Sequence, residues 1–238
     1  MIVNLISGPR NISTALMYSF AQRQDCVVLD EPFYAYYLDQ TGADHPGRDK
    51  VLQSLPVDAD KVIERIARLG AQHDLVFVKN MAHHILWDDL SAVRHWKNVF
   101  LIRDPWELII SFAKVIPNPA IEDIGLKRAA SLYQMLGDES VVVDSNEILK
   151  SPPTVLAAVC RQLGVETDDN MLQWSAGARK EDGVWAKYWY ANVHQSTGFG
   201  PPRTMREEMP PHLMPLYQEA RKYYDILSAN SIKYATTI

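Results

Sequence analysis

Apolar residues in this chain fall into short unbroken runs, separated by stretches in which they recur every three or four positions. The runs are MIVNLI (1–6), CVVLD (26–30), LVFVK (75–79), NVFLI (98–102) and SVVVD (140–144). Runs of this length, rich in Val and Leu and without polar alternation, predict strands buried on both faces. Between them, Ala15-Leu16-Ser19-Phe20, Val62-Ile63-Ile66-Leu69, Leu108-Ile109-Phe112-Ala113 and Leu126-Ala129-Ala130-Tyr133 carry helical spacing. Alternating strands and helices predict an α/β protein, a three-layer αβα arrangement around a central parallel sheet of about five strands. Ligands in such folds collect where strands hand over to helices, so chemistry is expected just after residues 6, 30, 79, 102 and 144.

Two stretches depart from the pattern. Residues 40–56 are polar and turn-rich, and 196–213 carry clustered Pro and Gly, so both are expected to be surface loops or lids. LMPLYQEARKYYDIL (213–227) predicts a closing helix. No repeat or low-complexity tract interrupts the 238 residues, and one domain spanning 1–238 is expected.

A formal charge of −5 gives no global basic field, which argues against nucleic acid or an anionic membrane as partner and requires any anion site to be local. Cys26 and Cys160 lie in apolar surroundings without a CxxC or a neighbouring His, and so read as buried, reduced thiols. The apolar run at 1–6 is too short for a secretory leader and lacks a basic flank, so the expected compartment is the cytoplasm. Oligomeric state is left open.

The first strand ends in Gly8-Pro9-Arg10-Asn11-Ile12-Ser13-Thr14, immediately before the first helix. A helix N-terminus presents unpaired N–H groups and positive dipole, so an anion is stabilised there before any side chain contributes. Arg10, Ser13 and Thr14 add a cation and two hydroxyls. Ordinary capping would need one hydroxyl and no arginine. The final Gly-Lys of a Walker loop is missing. After the fourth strand, RDPWELIIS places Ser111 eight residues beyond Arg103. Taken alone, this segment reads better as a buried Arg103–Asp104 pair with a solvent-facing helical serine.

Together the two segments resemble a family: the sulfotransferases that use 3′-phosphoadenosine 5′-phosphosulfate (PAPS), with their P-loop NTPase-like fold. GPRNISTAL resembles the loop that cradles the 5′-phosphosulfate, and the Arg103–Ser111 pair resembles the 3′-phosphate site. DSNEILKSPPTVLAAVCRQLGV (144–165) is similar to the family's strand, acidic turn and helix, and RKEDGVW (179–185) to the segment closing over the 3′-phosphate. The resemblance, which spans residues 4 to about 190, implies a donor site made by Gly8 to Thr14, Arg103, Ser111, Arg179, Lys180 and Trp185. It implies no metal. Asn11-Ile12 stands where family members usually carry Ser-Gly, which bears on the backbone path, since glycine permits positive φ and isoleucine resists it. Lys180 likewise replaces a common glycine, and Arg10 a common lysine.

Sulfuryl transfer needs a base for the acceptor's proton and cations around the transferring group. Glu31-Pro32 resembles the Glu-Pro of the carbohydrate branch, where the glutamate is the base; Glu31 leaves a strand expected to neighbour the phosphosulfate loop. Asp30-Glu31 could equally form an exposed turn. His83 and His84 are rival bases. Other branches place a histidine two residues after a lysine, a position that here is Met81, while Lys79 matches the lysine. The catalytic set is thus Glu31, Arg10, Lys79 and His83, with a small-molecule or carbohydrate-like acceptor. Aromatic residues at 32–38 and 184–199, with His194, are candidates for its cleft. Two other readings stay open: a small-molecule kinase with Asp104 as its acidic residue, and a domain that binds nucleotide without catalysis.

Overall fold

The computed structural model describes residues 1–137, 139–202 and 207–233. Six strands run parallel in one sheet: β1 (Ile2–Ser7), β2 (Cys26–Asp30), β3 (Leu75–Met81), β4 (Lys97–Ile102), β5 (Val141–Asp144) and β6 (Ser231–Ile232). Their order is β2-β3-β1-β4-β5-β6. The helices are α1 (Ser13–Phe20), α2 (Tyr34–Thr41), α3 (Arg48–Ser54), α4 (Ala59–Gln72), α5 (Pro105–Ala113), α6 (Leu126–Leu136), α7 (Ser145–Lys150), α8 (Pro152–Leu163), α9 (Ala186–Trp189) and α10 (Met214–Ser228). The predicted α/β architecture is observed. The five strands read from the apolar runs gain a sixth, β6, which follows α10, so that helix is not the last element.

Alternation along each strand explains why the runs are apolar throughout. Val3, Leu5, Phe77, Val99, Leu101 and Val143 pack with α1 and α8 on one face. Ile6, Val76, Val78, Phe100, Ile102 and Val142 pack with α4, α5, α6 and α10 on the other. Period-2 geometry sends neighbours to opposite faces, and a sheet covered on both sides has no polar face to reveal. The exception is a buried polar rung across the middle strands, in which Asn4 Nδ2 donates to Asn98 Oδ1 (2.9 Å) and Asn80 Nδ2 to Asn4 Oδ1 (2.7 Å).

Two expectations change. β2 is an edge strand separated from β1 by β3, so the strand that Glu31 leaves is not directly beside the loop after β1, although Glu31 and that loop line one cavity. The polar stretch 40–56 contains α3, whose Val51 is fully buried in a satellite cluster with Leu38 and Trp185; that one apolar anchor amid polar residues gives no clear helical period. The 196–213 segment is largely irregular, as expected, with its residues 203–206 outside the described residues. No described helix is long and apolar enough to cross a membrane.

Candidate active site

At the C-terminal ends of β1, β2, β3 and β4 lies a cavity of about 410 Å³. The chain leaves β1 towards β2 and leaves β4 towards β5, so the loops after β1 and β4 diverge and open a crevice between them, the usual ligand position in open parallel sheets.

The loop after β1 is bent by close packing. A Cβ on Gly8 would sit 2.4 Å from the Ile124 carbonyl oxygen, so only glycine lets the 117–125 loop approach. Arg10 and Ile12 follow at φ 62° and 56°. Isoleucine therefore adopts the conformation glycine would take, at a cost of about 1–2 kcal/mol. Two bonds hold the bend: Asn11 Nδ2 donates to the Leu101 carbonyl of β4 (2.9 Å), and Arg103 Nη1 donates to the Arg10 carbonyl (2.7 Å). α1 then begins with no side chain capping it, and Leu16 is the first residue whose N–H bonds back, to Ile12. The residues of this first turn, Ser13, Thr14 and Ala15, line the cavity.

Across the crevice, Arg10 Nε donates to Ser111 Oγ at 3.2 Å, so the two segments singled out in the sequence are joined directly. Ser111 is 3% exposed, and not a solvent-facing helical serine. Arg103 pairs with Glu107, not with Asp104: its Nε and Nη2 donate to Oε2 at 3.1 and 2.8 Å. With the bond to Arg10, three of its five N–H donors are engaged. Asp104 caps α5, accepting from the Trp106 amide (2.8 Å), and is not part of the cavity wall.

On the other side of β1, Asp30 and Lys79 stand opposite each other in the β2–β3 register. Lys79 Nζ, fully buried, donates to Asp30 Oδ1 (2.8 Å), Glu31 Oε1 (2.5 Å) and Tyr190 OH (2.7 Å), which uses all three of its protons. The Tyr190 hydroxyl in turn donates to Asp30 (2.8 Å), whose Oδ2 also accepts the Gly183 amide (3.1 Å). Asp30 and Glu31 are 8% and 7% exposed, which excludes an exposed turn. Two carboxylates share one cation. Burial, with Asp30 nearby, raises the Glu31 carboxyl above its ordinary range despite Lys79; Asp30 and Glu31 hold Lys79 above its ordinary value although burial opposes. Glu31 has φ 39°. Among the described residues, the three non-glycine residues at positive φ are Arg10, Ile12 and Glu31, and all three line this cavity, where stored backbone strain is a mark of function.

A family model described as a sulfotransferase domain matches residues 1–229. The chain belongs to this sulfotransferase family. It is 35% identical over its whole length to branched-chain-amino-acid aminotransferase-like protein 1 of Arabidopsis thaliana, and 34% identical over 95% of its length to the like-named protein 2. The chain spans 43% and 41% of those two proteins. Its fold is similar to that of the sulfotransferase domain from the Synechococcus PCC 7002 olefin synthase (TM-score 0.59, 18% identity, 92% of this chain and 93% of that one). A sulfotransferase from Alicyclobacillus acidocaldarius is also similar (TM-score 0.55, 14% identity, 98% and 96% covered).

In this chain His83 and His84 form a 3₁₀ turn after β3. The His84 ring lies between Tyr34 and Tyr37, with centroids at 4.6 and 4.7 Å, and its Nδ1 is 3.8 Å from Glu31 Oε2. Burial drives the His83 imidazole down to about 3 and that of His84 well below its ordinary value, so both are neutral. Both line the cavity.

The 179–185 segment is placed otherwise. The Arg179 guanidinium stands 5.0 Å over the Tyr18 ring, Lys180 is exposed, and Trp185 is 2% exposed in the core, its indole donating to Tyr190 OH (3.2 Å). None of the three lines the cavity. His194 contacts Asp182 (2.9 Å) and is also outside the wall. The residues not singled out in the sequence are His45, Asp123 and Glu107; Tyr190 belongs to the aromatic stretch 184–199, but its contact with Asp30 is not foreseen there. Tyr190 and Asp30 meet only through folding, and no local pattern marks them. Both cysteines are free, and burial raises their thiols.

Proposed function

We propose that this protein transfers a sulfuryl group from PAPS to a hydroxyl or amine of a small acceptor, with Glu31 as the base. The observation that carries this reading is the contact between Glu31 and Lys79 in the wall of the same cavity that holds Arg10 and the uncapped start of α1. Family membership supports it.

The residues present fit the donor. Bare first-turn amides, two hydroxyls and Arg10 suit a phosphosulfate, and Arg103 with Ser111 suits the 3′-phosphate. The donor supplies an activated sulfuryl group. Arg10 and the α1 amides bind and orient its anionic end and stabilise charge that develops there. Glu31 accepts the acceptor's proton, and its raised affinity for protons suits it better to that task at neutral pH than the His83 imidazole near 3 or the His84 imidazole, which burial also lowers. Lys79 fixes the Glu31 carboxylate and keeps a cation beside the reacting groups.

The kinase reading loses its acidic residue, since Asp104 is a helix cap outside the cavity wall. The domain-without-catalysis reading rested on Ile12, which nonetheless takes the glycine-like path. Calorimetry with adenosine 3′,5′-bisphosphate in a chelator, against ATP with magnesium, tests the proposal: the bisphosphate should bind and ATP should be much weaker. ATP preferred over the bisphosphate would contradict it.

A further inference from the structure

The cavity has a second set of wall residues that donor binding leaves unused: Tyr34, Tyr37, His45, His83, Trp189 and Asp123. Their rings touch one another, with Tyr37 edge-on to His83 (5.2 Å) and near His45 (5.7 Å), and His45 facing Trp189 (6.4 Å). We propose that this wall selects an acceptor alcohol or phenol that also carries a cationic nitrogen, with Asp123 and the ring faces as its binding partners. The inference rests on the sulfuryl-transfer reading and names the acceptor class for it.

Asp123 is a half-buried carboxylate in the wall. Its Oδ2 accepts the Ala120 amide (2.8 Å), and among the described residues no Lys, Arg or His forms an ion pair with it. Its place is fixed by tight packing. Gly8 approaches the carbonyl of its neighbour Ile124, and a Cβ on Gly125 would lie 3.2 Å from the Gly8 Cα, so the loop carrying Asp123 is seated on the loop proposed to hold the donor.

The charge balance of this wall favours a cation. His83 and His84 are neutral, and burial lowers His45 as well, although Asp123 opposes that shift. Lys79, whose charge acts on His84, is already matched by Asp30 and Glu31. Tyr37, His45 and Trp189 keep part of their surface exposed, and ring faces attract a desolvated cation. A protonated or quaternary nitrogen has no lone pair, so the nucleophile must be a separate hydroxyl. Its proton passes to Glu31, its oxygen forms the new bond to sulfur, and the bond from sulfur to the donor's phosphate oxygen breaks with its electron pair staying on the adenosine bisphosphate. The cation is bound but not consumed.

Matched pairs test this on the full chain with adenosine 3′,5′-bisphosphate bound, by calorimetry, and by initial rates with labelled PAPS. The pairs are choline against 3,3-dimethylbutan-1-ol, and tyramine against 4-propylphenol. The cationic member should be favoured by about tenfold or more in at least one pair. Asp123→Asn, whose amide oxygen can still accept from Ala120, should bring that pair within about threefold while bisphosphate affinity is unchanged, and Asp123→Glu should restore the preference. Neutral members that bind as well in both pairs, or a preference that survives Asp123→Asn, would overturn the inference while leaving sulfuryl transfer standing. Absent bisphosphate binding would remove the sulfuryl-transfer reading itself, and this inference with it.

Discussion

Glu31 and Lys79 meet across the edge of the sheet, with Nζ 2.5 Å from Oε1, although 48 residues separate them in sequence. The contact depends on two features: the parallel register that sets Asp30 opposite Lys79, and the turn at Glu31, whose φ of 39° swings its carboxylate back over β3 before Pro32. One cation thereby orients two carboxylates, and Tyr190 ties both to the 183–190 segment.

Activity should depend on pH through Glu31. A base must be ionised, so kcat/KM should fall as pH drops through the Glu31 value, which lies above its ordinary 4.5. Stability should run the other way. A carboxyl whose folded value is raised contributes stability that is complete below 4.5 and lost as pH rises through the folded value. A pH–rate profile checks the first statement: an acid limb near 3 would point to His83 instead.

Lys79→Met should be strongly destabilising. It leaves Asp30 and Glu31 buried together without a counter-charge, a loss of about 3–5 kcal/mol. The deficit should shrink at acid pH as Glu31 takes up a proton. Urea unfolding at two pH values measures it, and an unchanged midpoint at neutral pH would mean that the pair is solvated.

Gly8→Ala should weaken both the fold and donor binding. The new methyl would meet the Ile124 backbone at 2.4 Å, so one of the two loops must move, at about 1–3 kcal/mol. Thermal unfolding together with bisphosphate titration reads both effects. A variant unchanged in both would show that the close approach of the loops is not needed.

Arg103→Ala should cost about 2–4 kcal/mol in affinity for adenosine 3′,5′-bisphosphate, because it removes a desolvated charge partner and frees the Arg10 carbonyl. Wild-type affinity should also weaken with salt. Calorimetry at two ionic strengths checks both, and full affinity in the variant would remove Arg103 from the 3′-phosphate site.

The sheet and its main helices were legible in the sequence because both obey short periods, and the residues that gather after β1, β2, β3 and β4 were legible because strand ends can be counted from those runs. Arg10, Ser13, Glu31, Lys79, Arg103 and Ser111 all come to one cavity. What sequence could not supply was lateral order. β3 lies between β1 and β2, a choice made by the packing of whole layers. Arg103 pairs with Glu107, and not with Asp104 as the alternative reading of that segment has it, because Asp104 is committed to capping α5. Tyr190 and Asp123 join the site from loops whose approach depends on Gly183 and Gly8, and such contacts leave no periodic trace.

The most direct test measures transfer of label from sulfur-labelled PAPS to a confirmed acceptor, with donor saturating, in the parent protein and in Glu31→Gln. The isosteric amide should keep the bend and the donor affinity while turnover falls by about 10²- to 10⁴-fold, the range for a positioned base; His83→Ala and His84→Ala should be mild. Turnover in Glu31→Gln within a few-fold of the parent would contradict the account and pass the role to a histidine.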